Sequence, residues 1–437
     1  MNATIREGED EMNIAVFFYN RLIKDVDCSN PVDGNPGIGG TEYCILCFCQ
    51  LMKMYHPKHR VVLITPEEGR MPVVDDHLVV SQIQDVPKEC AKRGIDILLV
   101  SSVLNGSPLQ ESFFANADKE KVKVITWGHN YYLADYCNLL AQHSCVKANV
   151  FVGKQQYDRY IDHKVIEKST YIYNMYPSHE KHNERNLEEH IVTYIGSLVP
   201  QKGFHLLAKS WKKILESVPD AQLYVIGSGK LYNRNAKLGP FGIAEENYEK
   251  SFMDALMTDD NNILPSVHFL GTVGQEKDAY IERTSVGVVN PSGRTETFGL
   301  SALDFESQRV PVVTIAKGGF LDTVISGETG YLYNRVKDLS RYVVELLNNK
   351  EKNTKFGDRA ATFSKNFNGK KIIDQWCELL TVVEKNEKPA YIPPTDNYNK
   401  DLKWLRILNR KVKYILHIKT GVAVIDIESV MRKAIRR

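Results

Sequence analysis

With 437 residues, 43% hydrophobic and 25% charged, the chain has room for two or three domains, each with its own core. A formal net charge of +2 argues against nucleic acid as the main partner, and no apolar run approaches the roughly 20 residues that a membrane-spanning helix needs. The charge is uneven: residues 400–437 hold eleven Lys/Arg against three acids, a net +8, which leaves −6 for the rest.

The first eleven residues are polar and acidic, unlike a secretory signal, and read as an upstream start or an added segment. Met12-Asn13 then leads into the first apolar run, Ile14–Phe18. Further runs follow at Val61–Thr65, Ile95–Val100, Val122–Thr126 and Val150–Val152, with helical stretches such as Thr41–Met54 between them. Cys44, Cys47 and Cys49 fall inside that helical stretch with no partner pair at zinc spacing, so the eight cysteines read as buried thiols of a reducing cytosol. A polar segment, Tyr176–Glu189, reads as a linker. A second set of strands follows at Val192–Ile195, Gln222–Ile226, Val267–Leu270, Val286–Val289 and Val312–Thr314, with helices such as Phe204–Val218 between them. Strands alternating with helices predict two parallel sheets, each covered on both faces, and a cleft between their strand C-terminal ends. Ile372–Val383 repeats apolar residues at helical spacing. After prolines at 389, 393 and 394, Lys403, Arg406, Arg410 and Lys413 line one side of a helix, about 200° from Leu405, Leu408, Val412 and Ile415. Such a basic amphipathic helix predicts either docking on an anionic membrane surface or packing on the body with its basic face in solvent.

Chemistry concentrates between Asn290 and Tyr333. A strand ends in Asn290-Pro291-Ser292-Gly293-Arg294-Thr295-Glu296-Thr297-Phe298-Gly299, which opens a helix carrying Asp304. Glu296 and Asp304 are a little over two helical turns apart, so both carboxylates can share one side and accept sugar hydroxyls. Amides at Thr297, Phe298 and Gly299 are expected to lie open for phosphate. The bland reading makes Glu296 a cap and Asp304 a solvated helix residue. Gly39-Gly40 after the first strand, Lys202 in Gly196–Gly203, His129 after the Val122–Thr126 strand and Gly271-Thr272-Val273 after another strand are further candidates at strand ends. Each alone is weak: a glycine-rich turn is often structural, and a lone Lys or His usually is.

Together these motifs resemble the retaining glycosyltransferases of family 4, which have the GT-B fold of two Rossmann-like doubly wound domains. Val152–Tyr157, Ile172-Tyr173-Asn174 and Gly327–Tyr331 add to the match, which covers about residues 12–385. The resemblance implies an acceptor domain over 12–176, a nucleotide-sugar domain over 190–368, a helix over 369–386 crossing back to the first domain, and a basic tail over 387–437. It also implies roles. Glu296 would hold the donor sugar and Asp304 the ribose. Thr297, Phe298, Gly299 and Leu300 would meet diphosphate and sugar, Lys202 would neutralise the diphosphate, and Gly39 and Gly40 would lie under it. His129 would sit near the reacting sugar, and Gly271, Thr272 and Val273 near the base. No metal or cofactor is implied; the nucleotide sugar is a substrate.

Three positions depart from the family pattern. Ser197 stands where Arg is usual, Asp304 where Glu is usual, and Arg309 where a small residue is usual. Arg309 could replace the missing charge or be a solvated helix-end residue, and Glu306 could replace Asp304 if the helix were rotated. The expected activity is transfer of a hexose or N-acetylhexosamine from a nucleotide-diphosphate sugar, UDP favoured, to a glycan or lipid-linked glycan, in the cytoplasm at the inner face of the membrane. A sugar-nucleotide epimerase of the same fold and a non-catalytic sugar-nucleotide-binding protein are the rivals. Sugar choice is expected to depend on loops such as Lys230–Asn247.

Overall fold

The structure is a computed structural model that describes residues 11–177, 185, 187–230, 236–274, 276–395, 398–418 and 421–435. The expectations for the first ten residues, for 178–184 and 186 of the linker, for 231–235 of the sugar-choice loop, and for 396–397, 419–420 and 436–437 of the tail lie outside it. The chain divides into two compact units. The first holds residues up to Val32, Thr41–Met175 and Gly369 onward; the second holds Asp33–Gly40 and Tyr176–Asn368.

In the first unit, apolar runs too short for helices pair in parallel. The strands are β1 (Asn13–Phe17), β2 (Arg60–Thr65), β3 (Asp76–Val79), β4 (Ile97–Ser101), β5 (Lys123–Gly128), β6 (Val146–Phe151) and β7 (Ser169–Tyr171), in the order β3-β2-β1-β4-β5-β6-β7. The central strands are buried along nearly their whole length, as a sheet covered on both faces requires. The run expected at Val150–Val152 is the end of β6, which begins at Val146. Polar Asn149 masks its start; it is fully buried and accepts hydrogen bonds from Thr126 (2.9 Å) and Tyr132 (3.0 Å).

The second unit repeats the scheme with β8 (Ile191–Ile195), β9 (Gln222–Ile226), β10 (Val267–Gly271), β11 (Val286–Val289), β12 (Val312–Ile315) and β13 (Gly330–Tyr333), in the order β10-β9-β8-β11-β12-β13, all parallel. Strand order reverses between β8 and β11 here, and between β1 and β4 in the first unit. At such a switch point adjacent strand-end loops diverge and leave a crevice for ligand. Helix α2 (Phe204–Ser217) covers the second sheet with Phe204, Leu207, Ala208, Trp211 and Ile214, spaced i, i+3, i+4, i+7.

Helix α1 (Gly40–Tyr55) carries the three clustered thiols into the first core. All eight cysteines are reduced and buried, and burial pushes the Cys49 thiol up to about 12, so these groups behave as small apolar side chains. Helix α4 (Gly369–Glu384) packs in the same unit. Trp376 lies 5.3 Å from Phe48 and 4.7 Å from Trp127, centroid to centroid.

The tail reverses its expected orientation. It forms α5 (Lys403–Ile415) and a second helix, α6 (Val424–Ile435), that the sequence reading did not anticipate. The basic face of α5 turns neither to a membrane nor to solvent but onto the first unit. Lys403 pairs with Asp158 at 2.8 Å, and the fully buried Arg406 pairs with Glu428 and donates to the Asp401 carbonyl. Arg410 and Lys413 donate to the carbonyls of Ile161 (2.6 Å) and Asp162 (2.9 Å), and Arg159 bonds Glu428 at 2.6 Å. The cause is electrostatic: Asp158 and Asp162 are almost wholly buried, and a buried carboxylate needs a cation or several donors. Removing one partner strands the others, so Arg406→Met should destabilise the first unit by about 3–5 kcal/mol. Calorimetry should show the loss, and limited proteolysis should cut residues 400–435 first; an unchanged melting curve would contradict this fastening.

Candidate functional site

The site is built where β8 and β11 end. The chain leaves β8 through Gly196 and returns at Gly203, whose φ of +69° suits glycine. A Cβ there would stand 2.6 Å from the Ser292 nitrogen, so this glycine lets the Lys202 turn press against the loop that leaves β11. That second loop is held in uncommon backbone conformations: Asn290 at φ +30°, Gly293 at +58°, Thr295 at +59° and Gly299 at +98°. Left-handed non-glycine residues grouped in one loop mark a backbone over-determined by its surroundings, a pattern common at binding sites.

The two loops meet in one ion pair. Lys202 Nζ lies 2.9 Å from Glu296 Oε2, and Asn290 Nδ2 donates to the same oxygen at 2.9 Å. Both charged side chains are mostly buried, 18% and 13% exposed. Burial alone would raise the Glu296 carboxyl, but the Lys202 ammonium, with Asn290 and the Gly299 amide, holds it below the ordinary value. Glu296 is therefore an acceptor-only carboxylate at neutral pH. At Gly299 the expectation of an open amide is corrected, because the Glu296 carboxylate already engages that N–H.

Gly299 leads into α3 (Leu300–Glu306), which carries the second carboxylate. Asp304 Oδ1 accepts from Lys277 Nζ at 2.6 Å and from the Tyr176 hydroxyl at 3.2 Å. Lys277 was missed from sequence: it starts a short polar helix between the Gly271-Thr272-Val273 turn and the Asn290–Tyr333 stretch, and nothing in its local pattern signals a site. Asn290 and Tyr176 lay in stretches already singled out but had no role assigned. Glu306 does not replace Asp304. It is fully buried, accepts from Thr329 at 2.9 Å, and its other oxygen has no hydrogen bond among the described residues. Burial pushes its carboxyl well above the ordinary range, so it is a neutral acid in the core. Arg309 pairs with Asp358 at the far end of α3 and does not supply the charge missing at Ser197. Ser197 itself is buried, and its hydroxyl makes no hydrogen bond among the described residues.

Two other groups of predicted residues also fall in this unit. Gly271 closes β10 at φ +70° and accepts from the Gly227 amide, followed by Thr272 and Val273. Residues 33–40 group here too, where a Cβ on Gly40 would lie 3.1 Å from Leu300. Phe298 is buried and stacks edge-on with Phe367, while its carbonyl accepts from Thr323. His129 belongs to the first unit, just past the end of β5. Burial pushes its imidazole down to about 3, against the raising effect of its bond to Asn174. It is a neutral hydrogen-bonding group, beside Trp127 at 4.7 Å.

Two groups of three potential metal donors occur among the described residues, His56/His59/Cys377 and Asp118/His143/Cys145. Their atoms already bond neighbours: His56 to Asp374 at 2.9 Å, and Asp118 to His143, Ser144 and the Cys145 amide. Both read as satisfied core polar groups.

Two parallel, doubly wound sheets define a GT-B architecture. Residues 176–363, which include Lys202, Glu296 and Asp304, match the family model described as Glycosyl transferases group 1. Among curated proteins, the chain is 28% identical to an uncharacterized glycosyltransferase of Methanocaldococcus jannaschii, over 49% of this chain and 53% of that protein. It is 26% identical to the capsular polysaccharide biosynthesis glycosyltransferase CapM of Staphylococcus aureus, over 46% and 47%. The chain thus spans about half the length of these curated relatives. Among solved structures, Anabaena HepE in complex with UDP superposes with a TM-score of 0.59 at 14% identity, covering 85% of this chain and all of that one. A glycosyltransferase of Rickettsia africae superposes with a TM-score of 0.62 at 12% identity, covering 86% and 99%.

The buried acid gives a test of the assignment between Glu306 and Asp304. An acid whose folded pKa is raised costs stability as pH climbs above its unfolded value near 4.5, because only the unfolded chain then sheds the proton. Glu306→Gln should raise the thermal midpoint at pH 8 by about 2–4 °C and leave it little changed at pH 4. A midpoint lowered equally at both pH values would contradict the neutral-acid reading.

Proposed function

We propose that this protein is a metal-independent, retaining glycosyltransferase. It moves a hexose or N-acetylhexosamine from a nucleotide-diphosphate sugar to a glycan or lipid-linked glycan. The observation that carries this reading is the Lys202–Glu296–Asn290 cluster at the switch point of the second sheet, with the Asp304–Lys277 pair on the following helix. The two carboxylates differ in setting, so they suit different hydroxyl groups: Glu296 those of the sugar, Asp304 those of the ribose. Lys202 lies beside Glu296, where a diphosphate attached to that sugar would lie. UDP is favoured as the donor nucleotide because the HepE structures hold UDP and UDP-glucose. With Lys403, Arg406, Arg410 and Lys413 turned onto the first unit, the cations still exposed in the tail, Lys411 and Arg432 among them, support an acceptor at an anionic membrane surface, and CapM, a capsular polysaccharide biosynthesis enzyme, supports a role in the cell envelope.

In this scheme the departing diphosphate gathers charge as the glycosidic bond breaks, and Lys202 stabilises it electrostatically. Glu296 fixes the sugar by accepting its hydroxyls, and the acceptor hydroxyl attacks from the face the diphosphate leaves, its proton passing to the departing phosphate oxygen as the sugar–phosphate bond breaks. His129 takes part as a neutral imidazole, so its proton is not the catalytic acid.

Two outcomes follow for UDP release from a UDP-sugar. Glu296→Gln should lower kcat about 10²–10³-fold with folding intact. The wild-type rate should show no inflection near pH 6.5, because His129 stays neutral above about 3. Full turnover by Glu296→Gln would refute the site.

A further inference from the structure

Of the twenty-one large apolar side chains exposed among the described residues, twelve lie between Leu402 and Met431. On α5 they form a stripe. Trp404, Leu408, Val412 and Ile415 fall within about 80° of one another around the helix and are 54%, 51%, 41% and 70% exposed. Tyr414 adds to it on the last turn of α5, Leu416, Ile418 and Val422 continue the exposed apolar surface past the end of the helix, and α6 exposes Ile427, Val430 and Met431. A patch of this density exceeds the scattered apolar residues normal on a monomer's surface.

The stripe exists because the helix is inverted. Lys403, Arg406, Arg410 and Lys413, which would face water on an ordinary amphipathic surface helix, are drawn inward to Asp158, Glu428 and the carbonyls of Ile161 and Asp162. Burying that face leaves the apolar face outward. The buried ion cluster therefore holds hydrophobic side chains in water, at a cost that a surrounding apolar phase would remove.

We propose that this stripe inserts into the interfacial layer of an anionic lipid bilayer. The proposal deepens the membrane-surface part of the function above and changes which face does the binding. Three observations favour lipid as the occupant. Trp404 and Tyr414 are the residue types that settle at the depth of lipid head groups. Lys411 lies on the stripe side of α5 and is exposed, as is Arg432 on α6, so cations accompany the apolar surface. That charge complements anionic lipid but would repel a second copy presenting the same face. Finally, no helix among the described residues is long and apolar enough to cross a membrane, so the segment lies in the interface instead of spanning it.

Trp404 supplies a built-in probe, since the other three tryptophans, Trp127, Trp211 and Trp376, are fully buried. The full-length chain is mixed with vesicles of phosphatidylcholine and phosphatidylglycerol, with or without bromine on the acyl chains. Insertion should shift the Trp404 emission to the blue and allow its quenching by brominated lipid. Trp404→Phe should remove the quenching while the protein still binds. Leu408→Ser/Ile415→Ser should weaken vesicle partitioning at least tenfold, and Lys411→Gln about fivefold. Circular dichroism confirms that these surface variants fold. Binding without quenching, or binding unchanged by Leu408→Ser/Ile415→Ser, would overturn the proposal. So would a wild-type dimer by ultracentrifugation that Leu408→Ser/Ile415→Ser dissolves. The vesicle measurement needs no donor sugar, so its failure leaves the transferase reading standing, and loss of UDP binding would leave this one standing.

Discussion

The candidate site depends on one ion pair, Lys202 with Glu296, formed where two neighbouring parallel strands release their loops. Neither residue could hold its place alone. A buried carboxylate without a cation would take up a proton, as the core acid Glu306 does, and a protonated Glu296 would lose acceptor capacity. The left-handed turns at Gly203 and Gly299 bring the two loops within reach, and Asn290 completes the carboxylate's hydrogen bonding. The backbone strain in the loop from Asn290 to Gly299 is the cost of keeping this geometry ready.

The same rule governs the tail at larger scale. Asp158, Asp162 and Glu428 draw Lys403 and Arg406 on the basic side of α5 against the first unit. In the site, a mostly buried acid fixes the position of a lysine. In the tail, buried acids determine which face of a helix meets the surroundings. In both, the position of a cation follows from an anion that cannot reach water.

Much of this was legible in the sequence because buried parallel strands are continuous apolar runs, which is why β1, β2, β4 and β8 to β12 appeared near their observed limits, whereas β13 was visible only as part of the Gly327–Tyr331 motif and not as a strand. The edge strands β3 and β7 did not appear: Asp76-His77 and Ser169-Thr170 are half-polar, and both strands are short. Glu296, Asp304 and Lys202 stood out because each adjoins a strand end and a glycine turn. Lys277 did not, since it meets Asp304 only through tertiary packing. The tail was legible as amphipathic but not in orientation. Its spacing shows two faces, whereas the choice between them rests on Asp158 and Asp162, more than two hundred residues earlier, which look like ordinary surface acids in sequence.

The division of labour between the two carboxylates is the central claim, and calorimetric titration with UDP and with UDP-glucose tests it most directly. Glu296→Gln should weaken UDP-glucose about tenfold or more while leaving UDP as tight as in the wild type or tighter, because the change releases Lys202. Asp304→Asn should weaken both ligands alike. Equal losses for both ligands in Glu296→Gln, or no binding of either by the wild-type protein, would contradict the account.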